Sequence, residues 1–288
     1  MSVIIPTYNR AHLLEKAIRS IQKQSYPMIE IIVVDDGSKD NTDEVMAGFP
    51  EVRYIKQSNT GPSLARQKGL QHASGEFFAS LDSDDFWDST FVEEAVGCIQ
   101  EHGVDFIFAG YRMENDEANH FEGLRYLDKY KADQRGVWYI VNSEDTRALF
   151  VANSPATNSS MLLKRACVHI GWQQGARVGD DWHLVLDTIM HGGGKISCAF
   201  RTQSLWTKGM YMDNICVGNP DGRKVAEANA HDVSLALAKY TSMLSQKELK
   251  IIKGNLADIK GALAYFAYKD KAFLKAAKLR AEAAALRF

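Results

Sequence analysis

The sequence predicts an α/β fold: a doubly wound, mostly parallel sheet with helices on both faces, followed by a helical C-terminal extension. Three observations carry this. Through the first 110 residues, short β-branched runs alternate with segments of helical spacing. The runs are apolar at successive positions, as in strands buried on both faces. Beyond about residue 221 such runs stop, and helix-forming residues continue to the end. Right-handed crossovers between parallel strands then favour an open, doubly wound sheet, with ligands bound beyond the carboxyl ends of its strands.

The elements follow in order. Residues 2–5 form a β-branched run stopped by Pro6, and 12–24 carry Leu13, Leu14, Ala17, Ile18 and Ile21 at helical spacing. Residues 29–34 read as a strand ending in Asp35-Asp36-Gly37, and 38–47 as a helix with polar capping residues. A strand at 52–56, a helix at 62–72, a strand at 76–81, a helix at 90–102 and a strand at 104–109 complete the regular part. Residues 110–152 have no clean period and read as a surface excursion or an acceptor-side insertion. NSSMLLKRACV is a polar turn followed by a strand or a helix. Residues 179–190 read as a helix that begins in two acids, and 196–200 as a strand.

Bulk properties narrow the function. A chain of 288 residues can bury a large core, and 45% hydrophobic with 24% charged residues is ordinary for a globular protein. A net charge of −2 gives no global bias toward nucleic acid. Cys98, Cys167, Cys198 and Cys216 form no CxxC pair and read as reduced, buried thiols of a cytosolic protein. No apolar run approaches ~18 residues, so no membrane-spanning helix is expected, and MSVIIPTYNR lacks the basic leader of a signal peptide.

Polar clusters follow three of the strands: Pro6-Thr7-Tyr8-Asn9-Arg10, Asp35-Asp36-Gly37-Ser38 and Asp82-Ser83-Asp84-Asp85. Parallel strands bring all three to one sheet edge. In the third, Asp82, Asp84, Asp85 and Asp88 crowd into seven residues. Unpaired, such carboxylates repel and their pKa values rise. A divalent cation removes that cost, and hard oxygen ligands suit Mg²⁺ or Mn²⁺. Mg²⁺ takes only one or two carboxylates and completes its shell with water and substrate phosphates, so the turn points to a phosphate-bearing ligand. Asp36 is either an N-cap for the next helix or an acceptor for a ribose or a base. Tyr8 offers a flat face to a base. Arg66 is either a solvated helix arginine or a partner for phosphate or for the acidic turn. Asp180 and Asp181 are either favoured at a helix N-terminus by its dipole, or one of them is a general base for an acceptor hydroxyl.

VIIPTYNR, IIVVDDGSKDNT, SNTGPSLARQKGL, SLDSDD and GDDWHL, in this order and spacing, resemble the inverting family 2 glycosyltransferases of GT-A fold from the start of the chain to about residue 200. The resemblance implies a GT-A domain over 1–220, with a nucleotide-binding half at 1–110 and an acceptor half at 111–220, and a helical extension at 221–288. It implies that Pro6, Thr7, Tyr8 and Asp36 contact the base and ribose, with Arg10 and Ser83 beside them and Arg66 near the phosphates. Asp82 and Asp84 become the Asp-x-Asp metal pair, Asp84 the stronger ligand. Asp181 is preferred to Asp180 as catalytic base, and Trp182 helps shape the acceptor or donor-sugar pocket. The donor is a nucleoside-diphosphate sugar, UDP-linked first, and the acceptor a glycan or a lipid-linked glycan, as in bacterial surface polysaccharides. Many family members carry a histidine-containing stretch after the last core strand. Here RTQSLWTKGMYMDN has none, and Lys208 is the candidate to meet the diphosphate. Gln67 stands where relatives often have asparagine.

Two other classes compete. A nucleotidyltransferase needs a glycine- and lysine-rich N-terminal loop, which PTYNRAHLL is not. A non-catalytic binding module on a degenerate transferase fold has no use for both the Asp-x-Asp turn and Asp180-Asp181. The tail from 247 to 288 carries ten Lys/Arg against four Asp/Glu and is rich in alanine and aromatics. Such helices either pack on the domain or a second subunit, or lie on an anionic membrane surface. The expected location is cytoplasmic, with the inner membrane face as the peripheral alternative.

Overall fold

The computed structural model describes residues 1–114, 116–120, 130, 132–211 and 222–287. Cys216 and the expected boundary at 220/221 lie outside them. The strands are β1 (Ser2–Thr7), β2 (Glu30–Asp35), β3 (Arg53–Lys56), β4 (Phe77–Ser80), β5 (Phe86–Trp87), β6 (Phe106–Met113), β7 (Asp116–His120), β8 (Ala132–Arg135), β9 (Trp138–Val141), β10 (Met161–Lys164) and β11 (Cys198–Lys208). The helices are α1 (Ala11–Gln22), α2 (Thr42–Ala47), α3 (Pro62–His72), α4 (Phe91–His102), α5 (Ser143–Ala152), α6 (Asp180–His191), α7 (Arg223–Tyr240), α8 (Gln246–Lys269) and α9 (Phe273–Ala285).

One sheet runs in the order β3-β2-β1-β4-β10-β6-β11-β9-β8, with β5 on β11 and β7 on β6. The pairs β3-β2, β2-β1, β1-β4 and β6-β11 are parallel. Strand β10 is antiparallel to both neighbours, β4 and β6. Alternation along the strands fills two faces. Val3, Ile5 and Val33 pack with Leu14 and Ile18 of α1 and Val92 and Val96 of α4. On the other face Ile4, Phe78, Phe106 and Phe108 pack with Leu184, Val185 and Ile189 of α6, while Ile32 and Val34 meet Ala65 of α3. Cys98, Cys167 and Cys198 are buried free thiols within these layers.

The structure departs from the expectations in several places. Helix α2 begins at Thr42 and not at 38, because side chains hold the preceding turn open. Asp35 accepts the Ser38 N–H (2.8 Å), and Asp40 accepts the N–H groups of Thr42 (3.2 Å) and Ala11 (2.9 Å). The last core strand reaches Lys208 and not 200, since β6 and then β5 continue to pair with it past irregularities at Arg201–Trp206. Within 110–152, β7, β8, β9 and α5 are regular; α5 is capped by Asn142, whose side chain accepts the Asp145 N–H (2.9 Å).

The C-terminal helices cover the second face. Ala236 and Tyr240 of α7 and Ile252 of α8 join its core, Arg147 pairs with Glu248 (2.6 Å), and Asn255 donates to the Ala152 carbonyl (3.1 Å). A capping box, Ser245 with Glu248, starts α8. Among the described residues, no helix is long and apolar enough to cross a membrane.

Candidate active site

Strands β1, β2 and β4 are parallel, so their carboxyl ends share one edge. Strand β10 runs the other way, and its start brings Asn158 and Ser159 to the same edge. Helices α3 and α6 direct their N-termini there. The result is a cleft of about 470 Å³ whose lining includes Thr7, Tyr8, Asp36, Arg66, Asp84 and Asp181.

The acidic turn forms the floor. Carboxylate oxygens of Asp82, Asp84 and Asp85 lie within 4.8 Å of one another. Asp85 faces the protein: its two oxygens accept from the Gly209 N–H (3.0 Å) and the Ser159 hydroxyl (2.6 Å). Ser159 also accepts the Asp82 N–H (3.1 Å), which fixes the turn from β10's side. A Cβ on Gly209 would sit 2.0 Å from the Asp84 carbonyl oxygen, so only glycine allows β11 this close to the turn. Burial and the Asp82 charge push Asp85 up to about 8. Burial and the same charge also raise Asp84, against its ion pair with Arg10. For Asp82 burial acts upward too, but the charge and hydrogen bond of Arg66 outweigh it and hold Asp82 low. Three carboxylates this close, two of them raised by burial and by the Asp82 charge, with Asp82 and Asp84 lining the cleft, are hard oxygen donors that fit a divalent cation.

Arg66 joins this floor to the opposite wall. It is 5% exposed. One guanidinium nitrogen bonds Asp82 (2.5 Å) and the other bonds Asp180. Two carboxylates outweigh its burial and raise its pKa further. The other Asp180 oxygen accepts from Asn158 Nδ2 (3.0 Å), and Asn158 Oδ1 accepts from the Trp172 indole N–H (3.0 Å). Both Asp180 oxygens are thus committed to the protein. Asp181 differs: it lines the cleft, and its Oδ1 takes the N–H of Trp182 (2.6 Å). Burial and the neighbouring Asp180 charge push it up to about 8. A carboxyl group in that state can accept a proton near neutral pH.

At the other end, Asp36 does not cap α2, whose N-cap position is Asn41. It accepts from the Thr60 (2.9 Å) and Gly61 (2.7 Å) N–H groups and from Gln57 Nε2 (2.8 Å), and so shapes the entry to α3. Thr7 Oγ1 is buried without a hydrogen-bond partner, and Tyr8 is 44% exposed.

The structure therefore brings together Pro6, Thr7, Tyr8, Arg10, Asp36, Arg66, Asp82, Ser83, Asp84, Asp180, Asp181 and Lys208 on one cleft. It does not bring Trp182 there. That side chain points into the core and donates to the Phe150 carbonyl (2.7 Å), because position 182 falls on the sheet-facing side of α6. The solvated reading of Arg66 is also excluded by its burial. Gln67 turns away to donate to Ile170 (2.9 Å). Asn158, Arg177, Val178 and Gly209 escaped the sequence reading. For Asn158 a signal existed, the polar NSS before an apolar run; for the others none did.

Acidic and basic side chains gather where open α/β sheets bind their ligands, beyond the carboxyl ends of the parallel strands β1, β2 and β4. Residues 2–158 match the family model of glycosyl transferase family 2, and the chain belongs to that family. Among its relatives, the Escherichia coli UDP-Glc:alpha-D-GlcNAc-diphosphoundecaprenol beta-1,3-glucosyltransferase WfgD is 34% identical over 121 residues, 41% of this chain and 48% of that protein. The matches span between 18% and 62% of the length of the curated relatives. S. aureus TarS 1-349, solved with UDP-GlcNAc, shares the fold at 18% identity (TM-score 0.58, 99% of this chain and 88% of that one). So does the mannosyltransferase PcManGT of Pyrobaculum calidifontis, solved with GDP-Man and Mn²⁺ (20% identity, TM-score 0.58, 99% and 74%). The chain thus has the fold of these transferases and belongs to family 2.

Proposed function

We propose that this chain moves a sugar from a nucleoside-diphosphate sugar, UDP-linked first, to a hydroxyl of a glycan or lipid-linked glycan, with inversion at the anomeric carbon. The observation that carries the reading is the single cleft with Asp82 and Asp84 on its floor and Asp181 on its wall, joined through Arg66 and Asp180. The WfgD name, a UDP-Glc donor and a beta-1,3 product on a diphosphoundecaprenol-linked sugar, supports both donor and acceptor class.

Asp36, Thr7 and Tyr8 receive the base and ribose. Asp82 and Asp84 would hold a divalent cation, Mn²⁺ or Mg²⁺, which when bound would supply positive charge to the diphosphate. Arg10 and Lys208 add cationic charge at the same place. Asp181 takes the proton of the acceptor hydroxyl as that oxygen bonds the anomeric carbon. The carbon–oxygen bond to the diphosphate breaks on the opposite face, and its electron pair leaves with the nucleoside diphosphate. An α-linked donor then gives a β product, with no covalent enzyme intermediate. Asp180 keeps Arg66 and Asn158 in place beside the base.

The division into a transferase domain at 1–220 and a helical extension at 221–288 belongs to this proposal, as does a cytoplasmic site of action. At the α8–α9 turn, Tyr265, Tyr268, Phe273 and Leu274 are exposed, Leu274 by 90%, beside Lys269, Lys271 and Lys275. Apolar tips among lysines suit an anionic bilayer, which is where a lipid-linked acceptor lies. Cosedimentation with phosphatidylglycerol vesicles, lost in Leu274→Asp, tests that contact; a dimer without vesicle binding points to a second copy instead.

The test of the central reading is release of nucleoside diphosphate from UDP-glucose, UDP-GlcNAc and GDP-mannose with Mn²⁺. Release by the wild type and its loss in Asp181→Asn support a transferase. Binding without release in any donor, with or without acceptor extracts, overturns the catalytic reading in favour of a binding module.

A further inference from the structure

The segment that leads into α6 is held by a residue about 50 positions later in the chain. Asp232 on α7 is 2% exposed. Its carboxylate accepts three successive backbone N–H groups: Arg177 on Oδ1 (2.9 Å), and Val178 (2.9 Å) and Gly179 (2.8 Å) on Oδ2. Two further bonds tie the same neighbours. His183 Nε2 donates to the Asp232 carbonyl (3.1 Å), and His231 Nε2 donates to the Gly175 carbonyl (3.0 Å).

What this grips is part of the cleft. Arg177 and Val178 line it, Gly179 is the N-cap residue of α6, and Asp180 and Asp181 follow at once. The segment has little else to fix it. Gln174, Gly175 and Arg177 are exposed, and Gly175 has φ +109°. A loop flanked by glycines and poor in buried contacts moves unless its backbone is bonded. A base must be held within roughly 0.5 Å of its working place.

We propose, resting on the transferase reading above, that Asp232 is a positioning residue: it fixes Arg177–Gly179 and through them Asp181, so that α7 of the C-terminal region is a working part of the active site. The residue type follows from the count of donors. Three N–H groups need a carboxylate's two acceptor oxygens. A carboxamide has one and would set its NH₂ against at least one of the three.

The test is Asp232→Asn in the full chain, with two readouts. The first is amide hydrogen exchange. Arg177, Val178 and Gly179 should exchange at least ten-fold faster, while Ala236–Tyr240, which pack on the core, keep wild-type rates; a merely structural role would loosen both. The second is nucleoside diphosphate release from the best donor. The turnover number should fall ~10–100-fold, the range a small misplacement costs, while UDP affinity stays within about three-fold and Asp232→Glu recovers part of the rate. Unchanged exchange at 177–179, or wild-type turnover in a folded Asp232→Asn, overturns the inference. Should that variant not fold, the wild type decides: protection at 177–179 equal to that of the α6 interior is expected, and free exchange there refutes the clamp. A wild type that turns over no donor sinks the transferase reading and the catalytic half of this inference with it, while the exchange rates still decide the clamp.

Discussion

Replacing Arg66 by methionine keeps the apolar stem and removes the charge that bridges floor and wall. Two acids lose their partner. Asp180 is 11% exposed at its side chain and has only Asn158 left; Asp82 is 34% exposed and recovers some water. Removing one member of a buried ion pair costs about 3–5 kcal/mol, and solvent screening of Asp82 places the expected loss at the low end, about 3 kcal/mol at pH 7. The pH dependence has a definite sign. Asp82 is held below its unfolded value, so its contribution is present above the ordinary carboxylate range and is lost as pH falls through its lowered folded pKa. Without Arg66 that contribution disappears, and the gap between wild type and variant should narrow on acidification. Urea unfolding at pH 7 and at steps descending below pH 4 measures both. Arg66→Met within 1 kcal/mol of the wild type at pH 7, with a parallel pH dependence, would refute the hub that joins Asp82 to Asp180.

Asp181→Asn should lower donor turnover ~10²–10⁴-fold, the usual worth of a general base, with UDP affinity unchanged in calorimetric titration. Because burial and Asp180 push Asp181 up to about 8, the acid limb of turnover against pH should fall toward neutrality and not near 4. Asp85 and Asp181 bind protons more tightly folded than unfolded, so their contribution to stability declines as pH rises from about 4 to about 8. Burial and the Asp82 charge also raise Asp84, which lines the cleft, so protons compete there with a cation; Mn²⁺ should raise the melting temperature more at pH 8 than at pH 6, and equal shifts would argue against Asp84 as a ligand. Gly209→Ala should displace the turn at Asp84 and reduce Mn²⁺ affinity at least ten-fold with the fold intact by circular dichroism, since the added Cβ meets backbone and not a yielding side chain.

The β-branched runs and strand-end polar clusters made the parallel half of the sheet legible, because local composition and the crossover rule together determine where those ends meet. What was not legible depends on contacts remote in sequence. The antiparallel β10 could not be told from a helix at MLLK, and with its direction went the role of Asn158. Trp182 follows Asp181 directly, but one step along a helix turns a side chain by about 100°, into the core. The N-cap alternative for Asp36 looks to the helix next to it, whereas its hydrogen-bond partners lie at 57–61. Gly209 and Asp232 carry no local signal, since one matters for a carbonyl over a hundred positions away and the other for amides about 50 positions earlier.

The most direct test of the central claim is calorimetric titration of the full chain with UDP, with and without Mn²⁺, beside Asp84→Asn. The account predicts binding that requires the cation in the wild type and is lost in the variant. Binding of equal strength with and without Mn²⁺, or binding that Asp84→Asn leaves intact, would contradict it.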